Sequence, residues 1–194
     1  MKKIKGLTFA LKNKIINKII NLFENIEMGK SVVFKNYPHI IIHSNAKVII
    51  GKNTIINSSN YGYHINMHSK CKLYADRENA IIEIGENCRI HGTCVHAYKH
   101  IKIGNNCLIA ANTQIIDGNG HQLCMDEPQK RLILSDEGKE IFIANNVWIG
   151  ANSVILGGTH IGEGAVIAAG SVVKGSIPPK SIYGGNPAVL IKQY

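Results

Sequence analysis

Between Asn145 and Val173 an aliphatic residue stands at every sixth position: Ile149, Ile155, Ile161, Ile167 and Val173. An α-helix repeats at 3.6 residues and a half-buried strand at two, so neither element alone accounts for this period. The phase runs back through Ile143 and, beyond an interruption, through Ile115, Ile109, Ile103, Ile90 and Ile84. Three residues after these positions come Asn87, Asn106, Asn112, Gly118, Asn146, Asn152, Gly158, Gly164 and Gly170, with Thr93 and Ser176 as exceptions. Asn and Gly tolerate a left-handed backbone best, so a corner is predicted at a fixed place in each unit. One residue further on, small side chains recur: Cys88, Cys94, Cys107, Thr113, Ser153, Thr159, Ala165 and Ser171. They suit the crowded inside of a corner. A short strand and a corner, repeated, predict an all-β solenoid of stacked parallel sheets with three units to the turn.

The pattern blurs at its start. "VIIGKNTII" (48–56) holds one unit, with Ile50, Asn53 and Thr54, and "KLYADRENAIIEIG" reads as strand, turn, strand. Ile84 and Ile103 are one residue too far apart, which predicts a bulge near Ala97–Ile101. His96 falls on a repeat position if the phase is counted straight through from Ile90. Further upstream the texture changes. Ile4, Leu7, Leu11, Ile15, Ile19 and Leu22 follow helical steps with lysines between them, the pattern of a basic amphipathic helix. The predicted organisation is a helix over 1–30, the solenoid over 31–180 and a closing segment over 181–194. The helix is expected to cover the open end of the solenoid, whose unpaired strand edge needs protection. Trimer contacts, or peripheral membrane contact through residues 1–25, are the competing readings.

Composition narrows the partners. Only 6% of the 194 residues are aromatic, which suits a thin aliphatic core. The formal net charge of +9 admits a phosphorylated ligand, nucleic acid or an anionic membrane. Five cysteines, without a CxxC pair, argue against a disulfide framework and for a reducing, cytoplasmic setting. On this reading Cys88, Cys94 and Cys107 are core, and Cys124 is a bystander. No stretch is long and apolar enough to span a bilayer.

The interruption carries the candidate chemistry. Over about 117–141 the polar segment "DGNGHQLCMDEPQKRLILSDEGKE" leaves the regular stack, and long excursions from compact scaffolds are commonly functional. It contains His121, whose residue type has a pKa suited to general base catalysis near neutral pH. Asp117 and loop carbonyls are candidates for fixing its tautomer.

The repeat, the phrase "IFIANNVWIGAN" (141–152) and the ending "IYGGNPAVLIK" (182–192) resemble the hexapeptide-repeat acyltransferases, in their sugar and xenobiotic O-acetyltransferase branch. The resemblance covers roughly Val48 to Lys192. It implies a left-handed parallel β-helix and a homotrimer with sites between adjacent prisms. It also implies acetyl-CoA as acyl donor, direct transfer without an acyl-enzyme, and no metal or nucleic acid. His121 would be the base, and the N–H of Ala151, where relatives often carry Ser, the oxyanion donor. Trp148 would line the site, and Ala169 would touch the pantetheine arm. Lys174, where relatives often carry Thr, would reach the nucleotide phosphates together with Lys180 and Lys192. His91 and His96 are candidates for the acceptor pocket. The acceptor is expected to be a sugar hydroxyl of a surface polysaccharide or its precursor, with a lipid-linked acceptor and attachment to the inner membrane face as variants. Two other activities stay open: amino-sugar N-acetylation, and a gamma-type carbonic anhydrase-like metalloenzyme using the histidines.

Overall fold

A computed structural model describes the backbone from Lys2 to Tyr194 and side chains from Leu11 onward. The repeat folds into a three-sided prism of parallel sheets. The first sheet stacks Ile26–Met28, Lys47–Ile50, Ile81–Ile84, His100–Ile103, Ile141–Ile143, His160–Ile161 and Ser176–Ile177. The second stacks Val33–Lys35, Ile55–Asn57, Arg89–His91, Leu108–Ile109, Trp148–Ile149, Val166–Ile167 and Ser181–Gly185. The third stacks His39–Ile42, Lys72–Ala75, Cys94–Ala97, Gln114–Ile116, Val154–Leu156 and Val172–Val173. The closing segment Ala188–Gln193 turns back antiparallel on Ser181–Gly185 and ends the second sheet.

The repeat isoleucines meet their counterparts one coil away. Ile84, Ile103, Ile143 and Ile161 form one register column, and Ile90, Ile109, Ile149 and Ile167 another. All are buried, so the core is a stack of aliphatic rungs. Each buried side chain of this size is worth about 1.5–3 kcal/mol relative to exposure. The corners are left-handed, as at Asn53, Asn87, Asn106, Asn112, Asn146 and Asn152, then Gly158, Gly164 and Gly170. The asparagines do more than tolerate this backbone. Asn53, Asn87, Asn106 and Asn146 pass a side-chain hydrogen bond along one edge at 3.2 Å per step, and Asn146 ends the ladder on Glu163.

Two register details differ from the sequence reading. The step from Ile90 on the second sheet to the third is five residues, so Val95, not His96, points inward. Successive strand residues face opposite sides, so one residue of slip reverses every side chain. Thr93 accordingly fills the inner corner and Cys94 lies half-buried on the outer side. The missing residue is recovered, with one to spare, at Tyr98–Lys99, inside the predicted bulge.

The N-terminal helix is Lys2–Ile20, shorter than predicted, and the first coil begins at Ile26 inside the segment assigned to the helix. Ile4 and Leu7 lie outside the described side chains. Ile16 and Ile20 are buried on the prism's open end. Asn17 and Asn13 accept the N–H groups of Phe34 and Asn36 through their Oδ1 atoms, at 3.2 Å each. The helix thus covers the otherwise unpaired first coil. Leu11, Ile15 and Leu22 remain exposed.

Candidate active site

The outer face of the second sheet forms the floor of a cavity of about 830 Å³. Outward residues stand there in two columns. One runs through Ile55, Arg89, Leu108, Trp148 and Val166, the other through Lys35, Asn57 and His91. Small residues, Ala110, Gly150, Ala151, Ala168 and Ala169, open space along one side. A Cβ on Gly150 would lie 2.5 Å from the backbone nitrogen of Ala169, so glycine is required for the coils to close there.

A second excursion, between the strands ending at Asn57 and starting at Lys72, covers the cavity with Tyr63, His64 and Ile65. It is anchored by Asn60, which accepts the Met67 N–H at 2.9 Å. Asn112 accepts the His68 N–H at 3.1 Å and donates to the Asn66 carbonyl at 3.0 Å. Tyr63 stacks on His91 with ring centroids 4.3 Å apart. His91 has its pKa pushed down to about 4 by burial first, then by Lys35, Arg89 and His64, so the ring is neutral near pH 7.

The corner amides beside this floor differ in their partners. The Ala111 N–H is taken by the Tyr63 hydroxyl. One coil further on, the Ala151 N–H has no acceptor among the described residues, while the Ala151 carbonyl accepts from Gly170 at 2.8 Å. Trp148, Ala151, Ala169 and His91 are thereby brought to one cavity. The sequence reading missed Lys35, Tyr63, His64 and Arg89. The signal for the tyrosine and histidine was present: "NYGYH" (60–64) breaks the repeat with a polar, aromatic run.

The predicted loop leaves the third sheet after Ile116 and rejoins the first at Ile141. It carries a short 3₁₀ turn, Pro128–Leu132, and is tied at its base by Lys139 N–H to the Asp117 carbonyl at 2.6 Å. His121 is exposed and lies outside the cavity of its own chain. Asp117 requires correction as its orienting partner. Its buried carboxylate accepts the N–H groups of Tyr98, Lys99 and His100 at 2.6, 2.9 and 3.0 Å. Burial pushes its pKa up, against the lowering effect of those three donors. Its work is to hold the bulge, and no bond from it to His121 is formed.

The remaining candidates separate. His96 sits on the third sheet, stacked on Tyr74 at 4.3 Å, away from the cavity. Its Nε2 is 3.4 Å from Asp76 but makes no well-directed hydrogen bond, and burial lowers its pKa more than Asp76 raises it. Lys174, Lys180 and Lys192 are exposed in the last coils and closing segment, beyond the cavity lining. Lys192 stands over the ring of Tyr194 at 4.2 Å. Cys71, Cys88 and Cys107 are buried, and burial pushes the Cys71 thiol up to about 11. Among the described residues no group of three or more His, Cys, Asp or Glu side chains could hold a metal ion.

Comparison with known proteins agrees with this architecture. Residues 140–175 match the bacterial transferase hexapeptide model (six repeats), and 81–116 match the hexapeptide repeat of succinyl-transferase. The chain is 29% identical over 161 residues to a putative lipopolysaccharide biosynthesis O-acetyl transferase of Escherichia coli K12, covering 79% of this chain and 82% of that one. It is 37% identical over 114 residues to the galactoside O-acetyltransferase of the same organism, covering 58% and 54%. Among solved structures, a hexapeptide-repeat-containing acetyltransferase from Vibrio cholerae superposes with a TM-score of 0.54 at 26% identity, covering 89% and 75%. An N-acyltransferase from Bacillus cereus, in complex with dTDP and coenzyme A, shares the fold with a TM-score of 0.68 at 21% identity, covering 91% and 88%. The prism is a left-handed parallel β-helix.

Proposed function

We propose that the chain is a hexapeptide-repeat acyltransferase that transfers the acetyl group of acetyl-CoA to a sugar hydroxyl. The observation that carries this reading is the cavity joining Trp148, a run of alanines and the free Ala151 N–H. Its residues fit a pantetheine thioester. Leu108 and Val166 supply an apolar floor, and Ala168 and Ala169 admit a narrow arm. The coenzyme supplies the acetyl thioester, and its phosphates are assigned to the lysines at the C-terminal end, Lys174, Lys180 and Lys192.

The hydroxyl oxygen attacks the thioester carbonyl carbon while His121 takes the hydroxyl proton. The Ala151 N–H meets the developing oxyanion, where a preorganised donor is worth most. Collapse expels the CoA sulfur, which receives the proton from His121. Because His121 does not line its own chain's cavity, we read the loop as reaching the cavity of a neighbouring copy in a closed trimer. Leu123, Met125, Leu132 and Ile133, exposed on the loop, support such a contact. The names of the E. coli relatives support oxygen as the accepting atom and a polysaccharide context. The helix packing observed at Ile16 and Ile20 favours a structural over a membrane role for residues 11–20.

The test is thiol release from acetyl-CoA across a panel of sugars, for wild type and His121→Ala. Sugar-dependent release that drops about 10²–10⁴-fold in the variant, with CoA binding retained, is the expected result. Absence of CoA binding by the wild type would overturn the reading.

A further inference from the structure

The cavity has a second chemical character at its N-terminal end. There its lining carries cations and no carboxylate. Lys35 and Arg89 line it, no Asp or Glu does, and neither cation forms an ion pair among the described residues. The first sheet differs. Its Lys47 and Lys102 have Glu27 and Glu83 as partners, at 3.7 and 3.0 Å, and Lys52 just beyond it has Glu86 at 3.1 Å. The outward lysines of the first sheet are thus neutralised by glutamates, whereas the two cations of the cavity face are not.

His91 joins them as a third donor, and its tautomer follows from the bonds around it. The Ser59 N–H can only donate, and it donates to Asn57 Oδ1 at 3.0 Å. That fixes the amide, so Asn57 Nδ2 donates to His91 Nδ1 at 3.1 Å. Nδ1 is then the acceptor of a neutral ring, and Nε2 carries the proton. Nε2 has no protein partner among the described residues, and the stacked ring of Tyr63 holds the imidazole in place.

We propose that Lys35, Arg89 and the Nε2–H of His91 form a subsite for the phosphate of a glycosyl phosphate or diphosphate, which would make the acceptor a phosphorylated sugar. Register supplies the spacing. Arg89 and Trp148 are two strands apart, about 10 Å along the sheet. Arg89 and His91 are two residues apart on one strand, about 7 Å. A sugar ring bridges the interval between this donor group and the acyl position beside Trp148 and Ala151. The coenzyme's phosphates are assigned to the lysines toward the C-terminal end, beyond the cavity lining, so the two substrates have separate basic groups. The anion subsite stands on the geometry alone. Calling its occupant the acceptor rests on the acyl-transfer reading above.

Two measurements test it. The first needs no turnover: binding of inorganic pyrophosphate by wild type and by Lys35→Met/Arg89→Gln, with and without saturating CoA. Expected is binding at least tenfold weaker in the double variant and indifferent to CoA. Equal binding by both proteins, or displacement by CoA, overturns the proposal, the latter because it would hand these cations to the coenzyme. The second compares kcat/KM for a nucleoside diphosphate sugar, a short-chain polyprenyl diphosphate sugar and the same sugar unphosphorylated. A preference of tenfold or more for either diphosphate supports the proposal and names the source, while preference for the free sugar overturns it. Should acetyl-CoA fail to bind, the acyl-transfer reading falls while the pyrophosphate result still decides the anion subsite.

Discussion

Asp117 accepts the Tyr98 backbone N–H at 2.6 Å across nineteen residues of chain, joining the start of the long loop to the bulge at Tyr98–Lys99. The same carboxylate holds Lys99 and His100, so its loss strands three partly buried donors at once. Asp117→Ala should cost about 3 kcal/mol or more. That corresponds to a melting temperature lower by on the order of 10 °C. Asp117→Asn, with one acceptor oxygen left, should fall between. Unchanged melting in the alanine variant would mean that water replaces the carboxylate.

Asn106 combines a left-handed backbone, φ 58°, with two ladder bonds to Asn87 and Asn146. Asn106→Gly keeps the backbone at ease and loses the ladder. Asn106→Ala loses both and should be less stable than the glycine variant by about 1 kcal/mol. Chemical denaturation of the pair ranks them, and the reverse order would contradict a steric role for the corner.

His91 makes stability depend on pH. Its pKa is about 4 in the fold and near 6.5 when unfolded, so the unfolded chain binds the extra proton between those values. The His91 contribution is complete above about pH 6.5 and is lost as pH falls toward 4. The groups facing the ring, Lys35, Arg89 and His64, all act in the same direction. Melting temperature against pH should lose slope across this window in His91→Gln, and identical slopes would show that other groups carry the dependence.

Gly150→Ala drives a Cβ to 2.5 Å from the Ala169 nitrogen at the cavity wall. The contact is backbone on both sides, so the coils must part. CoA affinity should fall by tenfold or more, with lowered thermal stability. Wild-type affinity would place the coenzyme elsewhere.

Ile20 is fully buried beneath the helix, whereas Ile19 is 43% exposed. Ile20→Ala should cost about 2–5 kcal/mol and Ile19→Ala far less in the isolated chain. Equal effects would argue that the helix uses its other face.

Much of this protein was legible along the chain because a solenoid is nearly one-dimensional. Each coil sees only its neighbours, so the sixfold rhythm of Ile149 to Val173 and the Asn and Gly corners specify the strands, the corners and the stacking. The long loop and its histidine stood out as a departure from that rhythm. What stayed hidden were parities and meetings. Val95 points inward in place of His96 because a corner is one residue short, and a single residue of slip exchanges the two faces. The catalytic role expected of Asp117 gave way to a packing one because its oxygens met amides 17 to 19 residues away. Lys35, Tyr63, Arg89, Trp148 and Ala169 share one cavity only because successive coils lay distant segments side by side. The repeat is written locally and could be read from the sequence alone. Which outward side chains face one another across coils is decided by register and by the two excursions, and only the folded chain holds that information.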